Sequence, residues 1–333
     1  MKESLKENLK ENLKENLKES LDVYDYWAYD QRPRIEWPGG AKVAFWVAPN
    51  IEYYELDPPQ NPSRKPWPHP HPAVPGYSIR DYGNRVGHQR QMALLDKYGI
   101  RGSISLSTAL CEHHPEIIDM CRERNWEFFS HGIYNTRYTY GLSEAQERAM
   151  IRDSMETIHR HTGQACAGYL APALSHSERT LDLFAEVGEE LFGANGGLYT
   201  CDLFHDDQPT PVRVRSGKRF ISMPYSLEMN DTIVYAVNKV EPRQYSTMLK
   251  RHFDRLYLEG AESGTVMCIP THNYQVSCPH RIKAFEEALE YITGHPDVWV
   301  ATGREIADYY MTHYYDGALD SMAAQAVTAG RER

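Results

Sequence analysis

The sequence predicts an α/β fold built as a (β/α) barrel of about seven or eight strands, and three observations carry that expectation. Short apolar runs alternate with stretches of helical periodicity about eight times, the pattern of parallel strands with covering helices. That count favours a closed barrel over an open sheet, and 333 residues exceed the roughly 250 that such a barrel needs. Several apolar runs also end abruptly in polar side chains, as strands do when they open into a shared mouth.

Residues 1–21 stand apart from this pattern. Leu5, Leu9, Leu13, Leu17 and Leu21 recur within Leu-Lys-Glu-Asn repeats, and a spacing of four moves each leucine roughly 40° around a helix of period 3.6. The stripe winds around the helix instead of forming a lasting seam, so the segment reads as a low-complexity helical arm, with oligomerisation as its sharper role. Residues 22–333 then make one barrel domain. The aromatic, turn-rich text from Asp22 to Gly40 suits a segment wrapping over a barrel end. Lys42–Pro49 is the first core strand, and it runs into Asn50-Ile51-Glu52, where period-two alternation puts Asn50 and Glu52 on one side. Residues 57–83 are dense in proline, including Pro66-Trp67-Pro68-His69-Pro70-His71-Pro72, and predict an irregular lid or subunit contact.

Beyond that loop the periods alternate. Helices are expected over Asn84–Tyr98, His114–Arg124, Ser143–His161, Glu178–Val187, Arg243–Leu258, Pro279–Thr293 and Arg304–His313. Strands are expected over Gly102–Leu106, Trp126–Ser130, Cys166–Leu170, near Glu190–Ala194, within Arg219–Tyr225, and over Thr265–Thr271 and Val298–Ala301. Ser143 and Gln146 form a capping-box pattern at the head of the third helix.

Composition excludes some functions. A net charge of -10 and a pI near 5.8 repel a phosphate backbone, which argues against nucleic acid. Six scattered cysteines without a CxxC pair suggest neither a zinc knuckle nor a disulfide framework, and a reducing cytoplasm is the simplest setting. No apolar run approaches the ~20 residues of a membrane span, so a small-molecule substrate is expected, without membrane or nucleic-acid partners and in a homo-oligomer.

Chemistry in a parallel barrel sits at the C-terminal ends of the strands. The side chains at those ends are Asn50 and Glu52, then His131 and Asn135, then Tyr169-Leu170-Ala171-Pro172. Next come His205-Asp206-Asp207, then Glu228, Asn230 and Asp231, then His272, and last Thr302 and Arg304. Carboxylates and imidazoles in one pocket activate water, either through a divalent metal or directly as base and acid. Hydrolysis fits better than redox or phosphoryl chemistry, since GxGxxG after a strand, GxxxxGK[ST] and GxSxG are all missing.

The same strand-tip order resembles the polysaccharide deacetylase (NodB-homology) family, and more closely its allantoinase-like branch. Asn50-Ile51-Glu52, Ser130-His131-Gly132-Ile133-Tyr134-Asn135, Tyr169-Leu170-Ala171-Pro172, Asp206-Asp207-Gln208-Pro209 and Thr271-His272 stand for its five motifs. Met223-Pro224-Tyr225-Ser226-Leu227-Glu228-Met229-Asn230-Asp231 resembles a signature of that branch. The likeness runs from about Trp37 to Tyr314. It implies a distorted (β/α) TIM-like barrel of NodB type that hydrolyses a non-peptide amide bond, on an N-acetylated sugar or a small ureide or cyclic amide.

The departures shape the expected site. Metal-dependent members use an aspartate pair and an H-x-x-x-H zinc motif, but this chain has Asn50 and Glu52 at the first and Asn135 four residues after His131. Leu170 takes the usual arginine position of the third motif. Two mechanisms are then open. Zinc or another divalent metal is held by Glu52, His131 and Asn135, or Glu52 acts without metal as base, its pKa raised by burial and its proton transfer helped by His131. In both, His272 is the general acid and Asp206 or Asp207 orients it. Asn50, Asn135, Tyr169, Glu228, Asp231 and Arg281 are expected to bind substrate, with Arg281 or Arg304 neutralising an anion. The rival readings are a degenerate barrel that binds a small molecule or serves as a scaffold, and an ester-cleaving hydrolase.

Overall fold

The computed structural model describes residues 22–59 and 72–328; the leucine-repeat arm, His69 and His71 lie outside them. Nine strands are present among them: β1 (Val43–Ile51), β2 (Ser103–Leu106), β3 (Glu127–Ser130), β4 (Gly168–Tyr169), β5 (Tyr199–Thr200), β6 (Thr210–Pro211), β7 (Ile221–Ser222), β8 (Thr265–His272) and β9 (Val298–Val300). They join in the order β6-β7-β5-β4-β3-β2-β1-β8, parallel throughout except for the β6–β7 pair. This is a distorted (β/α) barrel. Among the described residues no strand ladder joins β8 to the β6–β7 edge, and the Val266 N–H crosses that seam to the Asp207 carbonyl at 2.9 Å.

Side-chain parity divides the core in two. From β1, Ala44, Trp46 and Ala48 fill the barrel interior with Phe129, Tyr199 and Tyr225, while Phe45, Val47 and Ile51 pack under the helices. Because strand side chains alternate, the inward register that places Trp46 carries Asn50 and Glu52 to the mouth. The same holds on β8, where Val266 and Cys268 face inward and His272 ends the strand. Trp46 is fully buried at the centre, and its truncation to alanine is expected to cost about 3–5 kcal/mol.

The structure corrects several expected elements. A helix at Val74–Tyr82 occupies part of the proline-dense stretch, because Pro75 lies in its first turn, where a missing N–H breaks no bond. A π-turn at Gly83–Gly87 links it to the helix His88–Lys97. The helix Thr180–Phe192 runs through the strand expected near Glu190–Ala194, and β5 comes later. The last strand, β9, pairs with the first half of β1, so Thr302 and Arg304 begin a helix well below the mouth. The Ser143–Gln146 capping box forms as expected. No helix among the described residues is long and apolar enough to cross a membrane.

Candidate active site

Glu52, His131 and His272 converge at the mouth from three strand ends, each buried, with exposures of 3%, 3% and 6%. Glu52 Oε1 lies 3.5 Å from His131 Nε2 and 3.5 Å from His272 Nε2. The same oxygen accepts from Asn135 Nδ2 at 2.5 Å, while Oε2 accepts from the Tyr274 hydroxyl at 2.6 Å and lies 3.8 Å from Arg80 Nε. Burial alone would push this carboxyl up. The charge of His272, hydrogen bonds with His131 and His272, and the charge of Arg80 outweigh it and hold Glu52 well below the ordinary carboxylate value.

Each imidazole has its tautomer set from behind. His131 Nδ1–H donates to the Leu170 carbonyl at 2.9 Å, which turns Nε2 to the pocket. His131 can reach that carbonyl because Gly132 adopts φ +71°, a left-handed turn in which a Cβ would also strike Pro172. His272 Nδ1–H donates to Asp231 Oδ1 at 2.6 Å, with Thr232 Oγ1 3.0 Å from the same nitrogen. Asp231 Oδ2 accepts the backbone N–H groups of His272 and Val276. Burial opposes charge on His272, but the Asp231 and Glu52 carboxylates raise its pKa to about 9, so it is an imidazolium at neutral pH.

The pocket above these groups measures about 450 Å³. Its walls come from Ile79 and Arg80, from Leu170 to Leu174, and from Thr232, Ile233 and Ala236. Ala173 and Leu174 hold φ of +50° and +57°, and the Ala173 N–H is fastened to Asn135 Oδ1 at 2.7 Å. Asn135 therefore clamps a strained wall to Glu52.

Residues 78–191 match the polysaccharide deacetylase family model. The chain is 28% identical over 244 residues to a putative polysaccharide deacetylase of Schizosaccharomyces pombe, covering 69% of this chain and 74% of that protein. It is 24% identical over 262 residues to a peptidoglycan deacetylase of Helicobacter pylori, covering 69% and 85%. Among solved structures, PuuE allantoinase superposes with a TM-score of 0.76 at 26% identity, over 87% of this chain and 98% of that one. A probable polysaccharide deacetylase from Pseudomonas aeruginosa gives 0.74 at 26%, over 85% and 95%. Over residues 78–191 the chain is similar to the polysaccharide deacetylase family. It is accordingly a hydrolase of carbon–nitrogen bonds other than peptide bonds.

Similarity to deacetylases raises the question of a metal, and the expected donors do not suit one. Asn135 accepts the Ala173 N–H at Oδ1 and turns its NH₂ to Glu52, so its amide is engaged on both sides. His272 is held from behind by Asp231 at Nδ1 and was not among the expected ligands. Of the expected ligands Glu52, His131 and Asn135, only the carboxylate and the imidazole are strong donors for zinc, fewer than a tetrahedral site requires. No group of three or more His, Cys, Asp or Glu side chains among the described residues is arranged to hold a metal ion. Asn135 fastens Ala173 to Glu52, and Glu52, expected as a base of raised pKa, is instead held down as an anion.

Other residues expected in the site lie elsewhere. Asp206 forms a two-pronged pair with Arg32 at 2.7 and 2.6 Å. The Asp207 carbonyl meets Val266, six residues before His272 and so roughly 20 Å from it along an extended strand. It is Asp231, expected among the substrate-binding residues, that holds His272, through Nδ1 and the backbone N–H. Glu228 is exposed in a separate cavity of about 530 Å³ with Asp206 and Asp207. Tyr169 packs outward on Phe184, and its neighbour Leu170 faces the pocket. Arg281 holds Gln275 at 2.6 Å, and Arg304 donates to the Asn195 carbonyl. Asn50 does line the pocket, donating to the Tyr225 hydroxyl at 2.9 Å.

Tyr54, Arg80, Thr232 and Tyr274 complete the site and lie outside the motifs read from the sequence. Extending the 50, 52 alternation by one step finds Tyr54. Arg80 leaves no signal, since the prolines before it hide the helix that carries it.

Proposed function

We propose that this enzyme opens a small cyclic amide or ureide, using its own side chains to activate water. The observation that carries the reading is the pocket. At about 450 Å³, and walled by the helix Val74–Tyr82 and the π-turn Ile233–Val237, it is sized for a small molecule, whereas a polymer requires a groove. The likeness to PuuE allantoinase supports the same class. Water bound between substrate and His131 gives its proton to Nε2, the nitrogen left free by the Leu170 bond. Glu52 remains a carboxylate and balances the imidazolium that forms. His272, already protonated, polarises the scissile carbonyl and then delivers its Nε2 proton to the departing nitrogen.

The test is turnover of allantoin, hydantoin and succinimide against N-acetylglucosamine oligomers, before and after chelation and with added zinc. Ring opening unaffected by chelator, and lost in His131→Ala, is the expected result. Hydrolysis of the sugars alone would reject this substrate class. Equal traces from wild type and His131→Ala would favour a binding protein.

A further inference from the structure

Arg80 brings a positive charge to the pocket wall that the chemistry above leaves unused. Its guanidinium carbon sits 3.7 Å from the ring centre of Tyr54 and 4.4 Å from that of Tyr274. Stacking of this kind fixes the plane of the group and leaves its N–H edge for hydrogen bonds. The Arg80 Nε–H is unspent. The nearest carboxylate oxygen, Glu52 Oε2, is 3.8 Å from Nε, and Nε is buried without a hydrogen-bond partner. Glu52 is meanwhile supplied by Tyr274 and Asn135 at hydrogen-bonding distance. A partly buried guanidinium with an unspent Nε–H is a ready donor to a ligand oxygen.

The placement of Arg80 is rigid as well as available. Asn84, one turn beyond it, donates to the Glu52 carbonyl at 3.1 Å. Gly87 presses so closely on the Asn273 carbonyl that a Cβ there would lie 2.0 Å from it, locking this helical segment to the end of β8. Arg80 and His272 therefore approach one carboxylate from its two oxygens, at 3.8 and 3.5 Å. Both donors line the same pocket around that carboxylate.

Resting on the ring-amide reading, we propose that Arg80 selects the substrate by binding a second carbonyl oxygen while His272 engages the scissile one. The preferred substrates are then cyclic imides and hydantoin-type ureides, whose ring nitrogen lies between two carbonyls, over simple N-acetyl groups. Water adds to the carbonyl carbon at His272 and the ring C–N bond breaks. One water proton reaches the nitrogen by way of the two histidines, and the other leaves as the new acid ionises. The product is one molecule carrying a carboxylate and an amide, and the amide carbonyl stays on Arg80.

The experiment uses succinimide as substrate and succinamate, its ring-opened product, as a binding probe that needs no turnover. Calorimetry should show succinamate binding to wild type and at least tenfold weaker binding to Arg80→Met. The KM for succinimide should rise at least tenfold in that variant, with a smaller fall in kcat, and Arg80→Lys should recover only part of the affinity because a point charge lacks the planar fork. A circular-dichroism melt reports whether Arg80→Met folds; if it does not, a threefold or greater loss in Arg80→Lys carries the test. Succinamate affinity within twofold of wild type in both variants, or no binding to wild type, overturns the assignment. Turnover of N-acetyl sugars alone, with succinamate binding still dependent on Arg80, rejects the ring-amide substrate while keeping Arg80 as the recognition residue.

Discussion

Glu52 and Glu127 are both carboxyls inside the barrel, nearly equally buried, yet their surroundings drive them in opposite directions. Glu127, at the start of β3, accepts from the Tyr199 hydroxyl at 2.7 Å and from the Arg304 N–H at 2.9 Å. Burial pushes its pKa up, and hydrogen bonds from Ser103, Tyr199 and Arg304 do not bring it back. Glu52, at the mouth, faces His131, His272 and Arg80 and is held well down. Burial by itself therefore does not mark a catalytic carboxyl. Neutral donors make Glu127 a clamp that ties β3 to the helix Gly303–His313, whereas cationic neighbours make Glu52 the centre of a charge network.

The sharpest way to break this contrast is to neutralise each carboxyl. Glu52→Gln leaves buried positive charges uncompensated and is expected to abolish turnover and cost about 3–5 kcal/mol in urea unfolding. Glu127→Gln loses one of two accepting oxygens, and should cost about 1–2 kcal/mol with turnover within about threefold of wild type. Equal losses in the two variants would show that burial, and not the partners, decides their roles.

Next in size is the acid. His272→Asn should lower kcat by about 10²–10⁴-fold while the protein still unfolds cooperatively. Loss of the His272 proton also sets an alkaline limit, so kcat/KM should fall as pH passes about 9, and Asp231→Asn should move that limb to lower pH. The sign for stability is the same. The folded value of about 9 lies above the unfolded 6.5, so the imidazolium's contribution is full below 6.5 and lost as pH rises through 9. A melting temperature that falls between those values in wild type but less in Asp231→Asn would bear this out.

Smaller effects should come from the clamp and from the neighbouring cavity. Asn135→Ala frees the Ala173 N–H and loosens the strained wall, and is expected to cost about 1–3 kcal/mol and reduce kcat roughly tenfold. Asp206→Asn should leave kcat/KM within about twofold, because Asp206 belongs with Arg32 in the other cavity; a hundredfold loss would return it to the active site.

How much is legible in the chain depends on how local the cause is. The apolar run of β1, its two-residue period and the strand-tip histidines set His131, Glu52 and His272 facing one mouth, and these three do meet. Roles that depend on neighbours from other strands do not show in the same way. Asp206 and Asp231 are equally plausible carboxylates on paper, and only the folded chain shows one under Arg32 and the other 2.6 Å from His272. Asn135 reads as a poor ligand in the sequence, and as a clamp only once its amide is fastened to Ala173 and Glu52.

The sequence by itself determined the barrel and the inward register of its strands, because hydrophobic periodicity is a property of each segment alone. Tertiary structure decided which way Glu52 titrates, which carboxylate serves His272, and that Arg80 reaches the pocket. Charge, hydrogen-bond direction and desolvation arise between side chains distant along the chain, and only packing brings those side chains within a few ångströms.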